Sequence, residues 1–462
     1  MILSLHPSIE DVLERLNAYG IKAIIVGGYV RDALLRLSTT DIDIELYGVT
    51  SIDQLEKILK KFGKVNLVGK SFGVLKLSYA GYNLDFSPPR IESKRGFGHK
   101  GFEIHWQNDL DFTTAARRRD FTINAIGYDP QLRTFLDPYG GIKDLEAKRL
   151  YYVDKTTFGD DPLRVLRAVQ FAARYELSCD TSLVILCREM IANGALEELP
   201  KERIFEEIKK LLLLSPKPSL GFELLKEMGG LSFFKELLPL ETTPQDSFSH
   251  PEGNVWIHTL MALDTMASQK TGDTKRDLIL LLAVLVHDIG KPCTTILHNG
   301  ILNAPKHAEE GVEIARTFLE RFCTEKELIE RILPLVRYHG AVRKLFQTNA
   351  NESAIRHLST HVILDDLIRV AQADFYGRAF DGERPTCFEA GEWLFNCANT
   401  LGVLHAPPPP ILLGRDLIAL GLSPSRAFKT LLENAYTAQL EGVFTTHEEG
   451  MGWISNTSLR PF

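Results

Sequence analysis

Between residues 23 and 46 the chain spells a strand, a glycine turn, a helix and a second strand in close succession, and few folds accept that run. The apolar Ala23-Ile24-Ile25-Val26 reads as a buried strand, Gly27-Gly28 as the turn after it, and Val30 to Leu37 as a helix. The second strand, Asp41-Ile42-Asp43-Ile44-Glu45-Leu46, alternates polar with apolar residues, so Asp41 and Asp43 share one face. Glycines at 27 and 28 let the backbone approach a triphosphate. N–H groups at the helix start then point at phosphate oxygens, and Arg31 stands one turn in as a charged clamp. No Gly-Lys-Ser/Thr follows, so this is not a Walker loop.

Two adjacent carboxylates call for a divalent cation. A pair of magnesium ions about 3.5 to 4 Å apart on such carboxylates polarises an α-phosphate, activates an attacking hydroxyl and stabilises leaving pyrophosphate. Asp85, in the strand-like Tyr82-Asn83-Leu84-Asp85-Phe86, is the candidate third ligand from a neighbouring strand. An Asp-x-Asp by itself is usually a solvated strand edge; the glycine turn before it and Asp85 after it make this one a candidate site of nucleotide transfer.

At 462 residues the chain has room for about three domains. The net charge of −7 argues against a protein that coats polyanions indiscriminately, so RNA contacts must rest on local patches such as Lys94, Arg95, His99, Lys100 and Arg117 to Arg119. The six cysteines form no Cys-x-x-Cys pair, which fits free thiols in a reducing cytosol. Early Glu10, Asp11 and Glu14 do not suit a signal peptide. The longest apolar run, Leu278 to Val286, is far short of the roughly 20 residues of a membrane helix, so a cytoplasmic protein without membrane contact is expected.

Strand-like segments (Ala23 to Val26, Ile42 to Leu46, Gly73 to Leu77, Asn83 to Phe86) concentrate before residue 155, and from Asp160 onward the pattern is helical almost throughout. A Pro, Thr and Ser-rich break at Pro239 to Pro251 and the prolines 407 to 410 subdivide the helical part.

Base choice has its own candidates. Pro162 opens a helix on which Asp161, Arg164 and Arg167, spaced by three, share a face. An intrahelical salt bridge is the plain account of Asp161 and Arg164. The functional account is that a carboxylate only accepts and a guanidinium only donates, so the pair matches the Watson-Crick edges of cytosine and adenine. Uracil and guanine would leave a partner unpaired at about 1 to 3 kcal/mol each. In Arg118-Arg119-Asp120-Phe121-Thr122-Ile123-Asn124, Arg119 would reach the triphosphate and Asp120 or Asn124 the ribose hydroxyls; a solvated charge run at Arg117 to Arg119 is the alternative.

Together these residues resemble the class II tRNA nucleotidyltransferases, the CCA-adding enzymes, and their relatives the bacterial poly(A) polymerases, over nearly the whole chain. Gly27 to Asp32 looks like the family's nucleotide-binding turn, Asp41 and Asp43 like its metal pair, Arg118-Arg119-Asp120 like its ribose-selecting motif and Asp160-Asp161-x-x-Arg164 like its base-reading template. Arg90 to Phe102 is similar to the flexible loop that helps CCA-adding members switch from CTP to ATP. Two positions depart from the pattern: Asp160 stands where glutamate is usual, and Gln170 where close bacterial relatives often carry arginine.

A second site follows the apolar run, which ends in His287-Asp288-Ile289-Gly290-Lys291. Burying a histidine beside an aspartate is costly unless a metal or another partner pairs them. His258 and Asp374 complete a four-ligand set that resembles the HD phosphohydrolase superfamily. Ser249-His250-Pro251-Glu252 through His258 looks like the HD domain of bacterial CCA-adding enzymes, which hydrolyses 2′,3′-cyclic phosphodiesters and 2′-phosphates. His307 and His339 read either as ligands of a second metal or as surface or capping histidines, and Lys291 either as a phosphate contact or as a solvated helix-end lysine.

The resemblance implies an α+β fold. A nucleotidyltransferase α/β head with a mixed sheet occupies residues 1–155, an all-helical neck and RNA-binding body 156–240, an all-helical HD domain 241–400 and a C-terminal helical segment 401–462. It implies addition of C, C and A to tRNA from CTP and ATP, with magnesium in the transferase site on Asp41, Asp43 and Asp85, and a divalent metal in the HD site. Poly(A) polymerase and a partial C-adding or A-adding enzyme are the rivals of the same class. A phosphohydrolase with an RNA-binding head is the rival from another class, and the intact Asp41 and Asp43 speak against it.

Overall fold

A computed structural model describes residues 3–68, 74–94, 102–106, 110–380, 385–422, 424 and 426–458. The chain divides into two compact units, Met1–Leu211 with Leu220–Phe233, and Leu212–Ser219 with Phe234–Phe462.

The first unit is built on a seven-stranded sheet. Its strands are β1 (Lys22–Val26), β2 (Asp41–Tyr47), β3 (Val65–Val68), β4 (Val74–Tyr79), β5 (Tyr82–Ser87), β8 (Gly127–Asp129) and β9 (Thr134–Leu136), in the order β3-β4-β5-β2-β1-β8-β9. Only β2 and β5 run parallel, so the sheet is mixed, as expected. β6 (Arg90–Lys94) and β7 (Phe102–Trp106) form a separate antiparallel ribbon. The part of the expected nucleotide-switching loop from Arg95 to Gly101, with the basic residues Arg95, His99 and Lys100, lies outside the described residues.

Helix α1 (Pro7–Ala18) buries Ile9, Val12, Leu13 and Leu16, spaced three and four apart, in one core with Ile25, Ile44 and Leu46. Helix α2 (Gly28–Leu34) begins two residues before the expected Val30 and ends three before Leu37. It stops because Arg36 turns to φ 60° and the Leu37 N–H bonds back to the Asp32 carbonyl at 2.8 Å. After the sheet come α3 (Leu163–Tyr175) and α4 (Lys201–Leu214). A short parallel ladder of β10 (Arg149–Leu150) on β11 (Ser178–Cys179) interrupts the helical pattern.

In the second unit, α5 (Val255–Ser268) and α6 (Thr274–Val286) lead to the histidine-rich turn. Leu278 to Val286 are each 3% exposed or less, which accounts for a helix apolar on every side. α7 (His307–Phe322), α8 (Lys326–Tyr338) and α9 (Leu364–Tyr376) follow. The expected uninterrupted helical pattern is broken by a hairpin, β12 (Ile296–His298) on β13 (Ile301–Asn303). Its turn residues Asn299 and Gly300 both take positive φ, 51° and 78°. An Asn-Gly pair favours that two-residue turn, so the signal was present in the sequence. The C-terminal segment expected to be helical, 401–462, holds Gly414–Ala419 and Arg426–Leu440, separated at Gly421 (φ 82°), and then His447–Ser458; Leu412, Leu417, Leu431, Phe444 and Ile454 form a small core there. No helix among the described residues is long and apolar enough to cross a membrane.

Candidate active sites

The carboxylates of the first unit come together through strand register. β2 alternates as expected, with Asp41 and Asp43 exposed and Ile42 and Ile44 buried. The parallel pairing with β5 sets Asp43 opposite Asp85 and Asp41 opposite Asn83. Asn83 Nδ2 donates to Asp41 Oδ1 at 3.0 Å, and Lys76 Nζ from β4 bridges Asp85. Desolvation raises the Asp43 pKa; Arg119 lowers it, and Asp85 and Asp41 raise it again. A carboxyl whose pKa is raised beside two other carboxylates suits a divalent cation, which would favour its ionised form.

Gly27 takes φ 72°, and a Cβ there would lie 2.9 Å from Arg119 Nη1 and 3.6 Å from Asp43 Oδ2. Glycine is what leaves Arg119 and Asp43 room to face one another. Arg119 Nη1 donates to the Asn124 carbonyl at 3.2 Å, while its buried Nε has no hydrogen-bond partner. The three arginines in a row have different surroundings: Arg117 is exposed and pairs with Asp154, Arg118 reaches Glu45 at 3.5 Å, and Arg119 turns toward Asp43.

Behind these lies a buried polar chain. Asp120 accepts from Asn124 Nδ2 at 2.9 Å, Arg167 Nε at 2.7 Å and the Phe121 N–H at 2.8 Å. Burial pushes the Asp120 carboxyl up, but Arg167 and Asn124 outweigh it and hold its pKa below the usual range. Arg31, 4% exposed, donates to Asn124 Oδ1 at 2.5 Å, to Asp32 at 2.8 and 2.7 Å and to the Tyr175 hydroxyl at 2.6 Å, and it stacks against Phe171 and Tyr175. The expected phosphate clamp is thus a buried tie between α2, Asn124 and α3. Gln170, on α3, is 2% exposed with its Nε2 unpaired.

At the start of α3, Arg203 from α4 donates to Asp161 Oδ2 at 3.0 Å, and the Leu163 N–H to Asp161 Oδ1 at 3.1 Å. Arg164 donates to the Thr157 carbonyl at 2.7 Å and to the Arg118 carbonyl. Arg203, Lys76 and Asn83 are contacts that sequence reading missed. Lys76 was within reach: Gly81 falls in the short gap between the strand-like runs 73–77 and 83–86, and the register of that hairpin pairs Lys76 with Asp85.

The second unit gathers His258, His287, Asp288 and Asp374, and adds His307 and His339. His258 Nε2 is 3.1 Å from Asp374 Oδ1 and 3.7 Å from Asp288 Oδ2, and His287 Nε2 is 3.2 Å from Asp288 Oδ2. The other Asp288 oxygen faces His307 Nε2 at 3.5 Å and His339 Nε2 at 3.8 Å. His287, His307 and His339 each direct Nδ1 to a backbone carbonyl three residues back, Val284, Ala304 and Val336, all at 2.7 Å. A carbonyl can only accept, so each Nδ1 carries the proton and each Nε2 offers a lone pair to the centre. Burial pushes His339 down to about 4, which keeps it neutral at pH 7.

His258 Nδ1 is instead 3.0 Å from Glu252 Oε1, which His250 Nδ1 also meets at 2.8 Å. Glu252 and His250 were legible as part of the HD resemblance, but their contacts depend on the packing of a loop on α5. His258 Nε2 and His287 Nε2 are buried and make no hydrogen bond, and the buried Asp288 Oδ2 beside them meets the Lys291 ammonium at 2.6 Å. Buried lone-pair atoms of two imidazoles and a carboxylate facing one point fit a divalent metal. Two donor groups, His258 with His287 and Asp374, and Asp288 with His307 and His339, each lie close enough to hold an ion.

Three family models match the chain: the poly(A) polymerase head domain over residues 23–151, the probable RNA and SrmB-binding site of polymerase A over 182–240, and the HD domain over 255–374. The multifunctional CCA protein of Aromatoleum aromaticum is 31% identical over 375 residues, covering 79% of this chain and 87% of its own length. That of Psychromonas ingrahamii is 33% identical over 339 residues, covering 72% and 78%. The crystal structure of the Bacillus stearothermophilus CCA-adding enzyme in complex with CTP aligns over 98% of both chains with a TM-score of 0.65 at 18% identity, a likeness of fold. Sequence identity sustained over that length makes this chain a member of the multifunctional CCA protein family.

Proposed function

We propose that the protein adds C, C and A to the 3′ end of tRNA, using CTP and ATP and releasing pyrophosphate, and that its HD centre hydrolyses 2′,3′-cyclic phosphodiesters and 2′-phosphates. The observation that carries the first activity is the parallel register that brings Asp85 beside Asp43 and Asp41. The assigned parts are a nucleotidyltransferase head over 1–155, a neck and RNA-binding body over 156–240, an HD domain over 241–400 and a C-terminal segment over 401–462. The stretches matched by the three family models fall inside the first three ranges and support this division. Work on tRNA suits a cytoplasmic protein.

Asp41, Asp43 and Asp85 would hold magnesium, which supplies positive charge to the triphosphate and to the departing pyrophosphate. Arg119, across Gly27 from Asp43, neutralises phosphate. Asp120 and Asn124 orient the ribose, with Arg167 and Arg31 holding that pair in place. Asp161 and Arg164 read the base, and Arg203 orients Asp161. In the HD centre His258, His287, Asp288 and Asp374 would hold a divalent metal, with His307 and His339 joining Asp288 for a second, and bound metal supplies an activated water to the phosphoester.

The test is incorporation of labelled CTP and ATP, alone and together, into tRNAs ending before CCA, after C and after CC. Ordered addition that stops at CCA is expected. A long adenosine tail or addition of a single base type would reassign the protein to poly(A) synthesis or to a partial enzyme.

A further inference from the structure

Two cavities open onto the histidine centre of the second unit. The smaller, about 180 Å³, is bounded by Asp288 and Asp374 and by three cations, Lys291, Arg343 and Arg378. The larger, about 350 Å³, shares those three cations and extends past Gln245 to Ile301, Leu302 and Asn303 of the hairpin. The cations therefore stand where the two spaces meet.

Their donors are only partly used. Lys291 Nζ lies 2.6 Å from Asp288 Oδ2 and 2.7 Å from Gln245 Oε1, which leaves one of its three protons. Arg378, one turn beyond Asp374, donates from Nη2 to Asp374 Oδ1 at 3.1 Å, while its Nε is buried without a hydrogen-bond partner. Arg343 lines both cavities and makes no hydrogen bond or ion pair among the described residues. For Arg378 a buried N–H without an acceptor is destabilising, while Arg343 is exposed to solvent at the cavity rim; guanidinium groups pair with phosphate through two parallel hydrogen bonds. Beyond the cations the surroundings change: the amides of Gln245 and Asn303 offer donors and acceptors, and Ile301 and Leu302 offer apolar surface, with Ile301 53% exposed.

We propose that Arg343 and Arg378 are the specificity-determining residues of the HD centre, gripping the non-bridging oxygens of a terminal phosphoester whose nucleoside lies in the larger cavity against the hairpin β12–β13. This rests on reading the centre as a phosphohydrolase. Arg343 pairs with no anion among the described residues, so it adds more to a phosphomonoester dianion than to a cyclic diester monoanion. The centre thereby favours nucleoside 2′-monophosphates over 2′,3′-cyclic phosphates in binding, with Arg343 setting the difference. Arg378 has a second part as a positioning residue, because it also holds Asp374.

The experiment uses the full chain loaded with a divalent cation, comparing the unaltered protein with Arg343→Ala and Arg343→Lys. Steady-state hydrolysis is measured on adenosine 2′-phosphate and adenosine 2′,3′-cyclic phosphate, alongside calorimetric binding of adenosine 2′-phosphate and of inorganic phosphate, metal content and thermal melting. Arg343→Ala is expected to raise KM and weaken phosphate binding about tenfold for the monoester and about threefold for the cyclic diester, with kcat within about twofold and metal content unchanged. Arg343→Lys should recover part of the loss. KM and phosphate affinity within twofold of the unaltered protein would overturn the proposal, as would equal losses on both esters. If the unaltered protein hydrolyses neither ester, the phosphohydrolase reading fails by itself, and the phosphate and adenosine 2′-phosphate binding comparison still decides the part assigned to Arg343. Phe248, 95% exposed and between the cavity-lining Asp246 and Ser249, gives a further arm. Ile301→Ser should weaken adenosine 2′-phosphate but not inorganic phosphate, whereas Phe248→Ser, outside the cavity lining, should change neither.

Discussion

The two carboxylate-bearing sites meet the same need in opposite ways. In the head, Asp41 and Asp43 project from an exposed strand face, and the nearby charges are a lysine on Asp85 and an arginine across Gly27. In the second unit His258, His287 and Asp288 are 2% exposed or less, and backbone carbonyls or Glu252 lock the rings. Magnesium keeps several waters and takes phosphate oxygens as ligands, so an open carboxylate face suits a metal that comes and goes with a nucleotide. Neutral imidazole lone pairs fixed around a buried point suit a resident metal of the nitrogen-binding type. On that reading one site would be completed by its substrate, while the donors of the other are set in place by folding.

The largest effects should separate the two sites. Replacing Asp41 and Asp43 by alanine removes charge stabilisation worth several kcal/mol, so CTP and ATP incorporation is expected to fall by at least about 10³-fold while phosphoester hydrolysis is retained. Asp288→Asn should do the reverse, abolishing hydrolysis and metal uptake with incorporation intact. If either variant removed both activities, the picture of two independently built sites would collapse.

The next effect concerns the polar chain behind the head site. Arg167→Ala leaves Asp120 buried with only Asn124 and the Phe121 N–H, which should destabilise the protein by about 3 kcal/mol or more in denaturant titrations at pH 7. The pH dependence has a defined sign. Asp120 has a folded pKa below its unfolded value, so the unfolded chain binds the proton more tightly. Its stabilisation is complete above roughly pH 4 and is lost as the pH falls through the lower folded value. Arg167→Ala raises that folded value and should flatten this acid limb; an unchanged limb would mean that Asp120 is not the responsible group.

Smaller still is the effect of Glu252→Gln. It keeps an acceptor for His258 Nδ1 but removes the charge, and the loss should be about 10- to 100-fold in metal affinity by competitive chelation. In the head the outer contacts of the carboxylates are instead a lysine and an amide on neighbouring strands.

What the sequence disclosed follows the range of the interactions involved. The period-two alternation of residues 41–44 and the all-apolar 278–286 run are local, and both fold as those patterns dictate; Glu45, next on the polar face, is instead buried at 1% exposure, with Arg118 3.5 Å away. The end of α2 was misjudged because a positive φ at Arg36, a non-glycine residue, leaves no mark in the sequence. The Asn299-Gly300 turn did leave one, and the helical signal around it overrode it. Arg203 on Asp161, Glu252 between two histidines and Arg31 beneath Asn124 depend on elements meeting in space; Arg31 in particular read as a surface clamp because nothing local tells a buried guanidinium from a solvated one.

Base choice sharpens the comparison at its finest scale, because the reading pair belongs to the open site yet is held by protein contacts. Asp161 already accepts from Arg203 and from the Leu163 N–H, and Arg164 already donates to two backbone carbonyls. An ionised carboxylate has about four acceptor positions, so Asp161 retains capacity for a base edge without giving up those contacts. The contacts reduce the conformational freedom each side chain would lose on binding a nucleotide. Asp161→Ala should therefore lower the preference for CTP over UTP, measured as a ratio of kcat/KM, by about tenfold, the worth of one base partner of about 1 to 2 kcal/mol. Arg203→Ala should produce a fraction of that loss, because it frees Asp161 without deleting it. If Arg203→Ala lowered the CTP rate strongly while leaving the CTP to UTP ratio unchanged, Arg203 would be acting on phosphate or RNA, and the orientation of Asp161 would have to come from the Leu163 N–H alone.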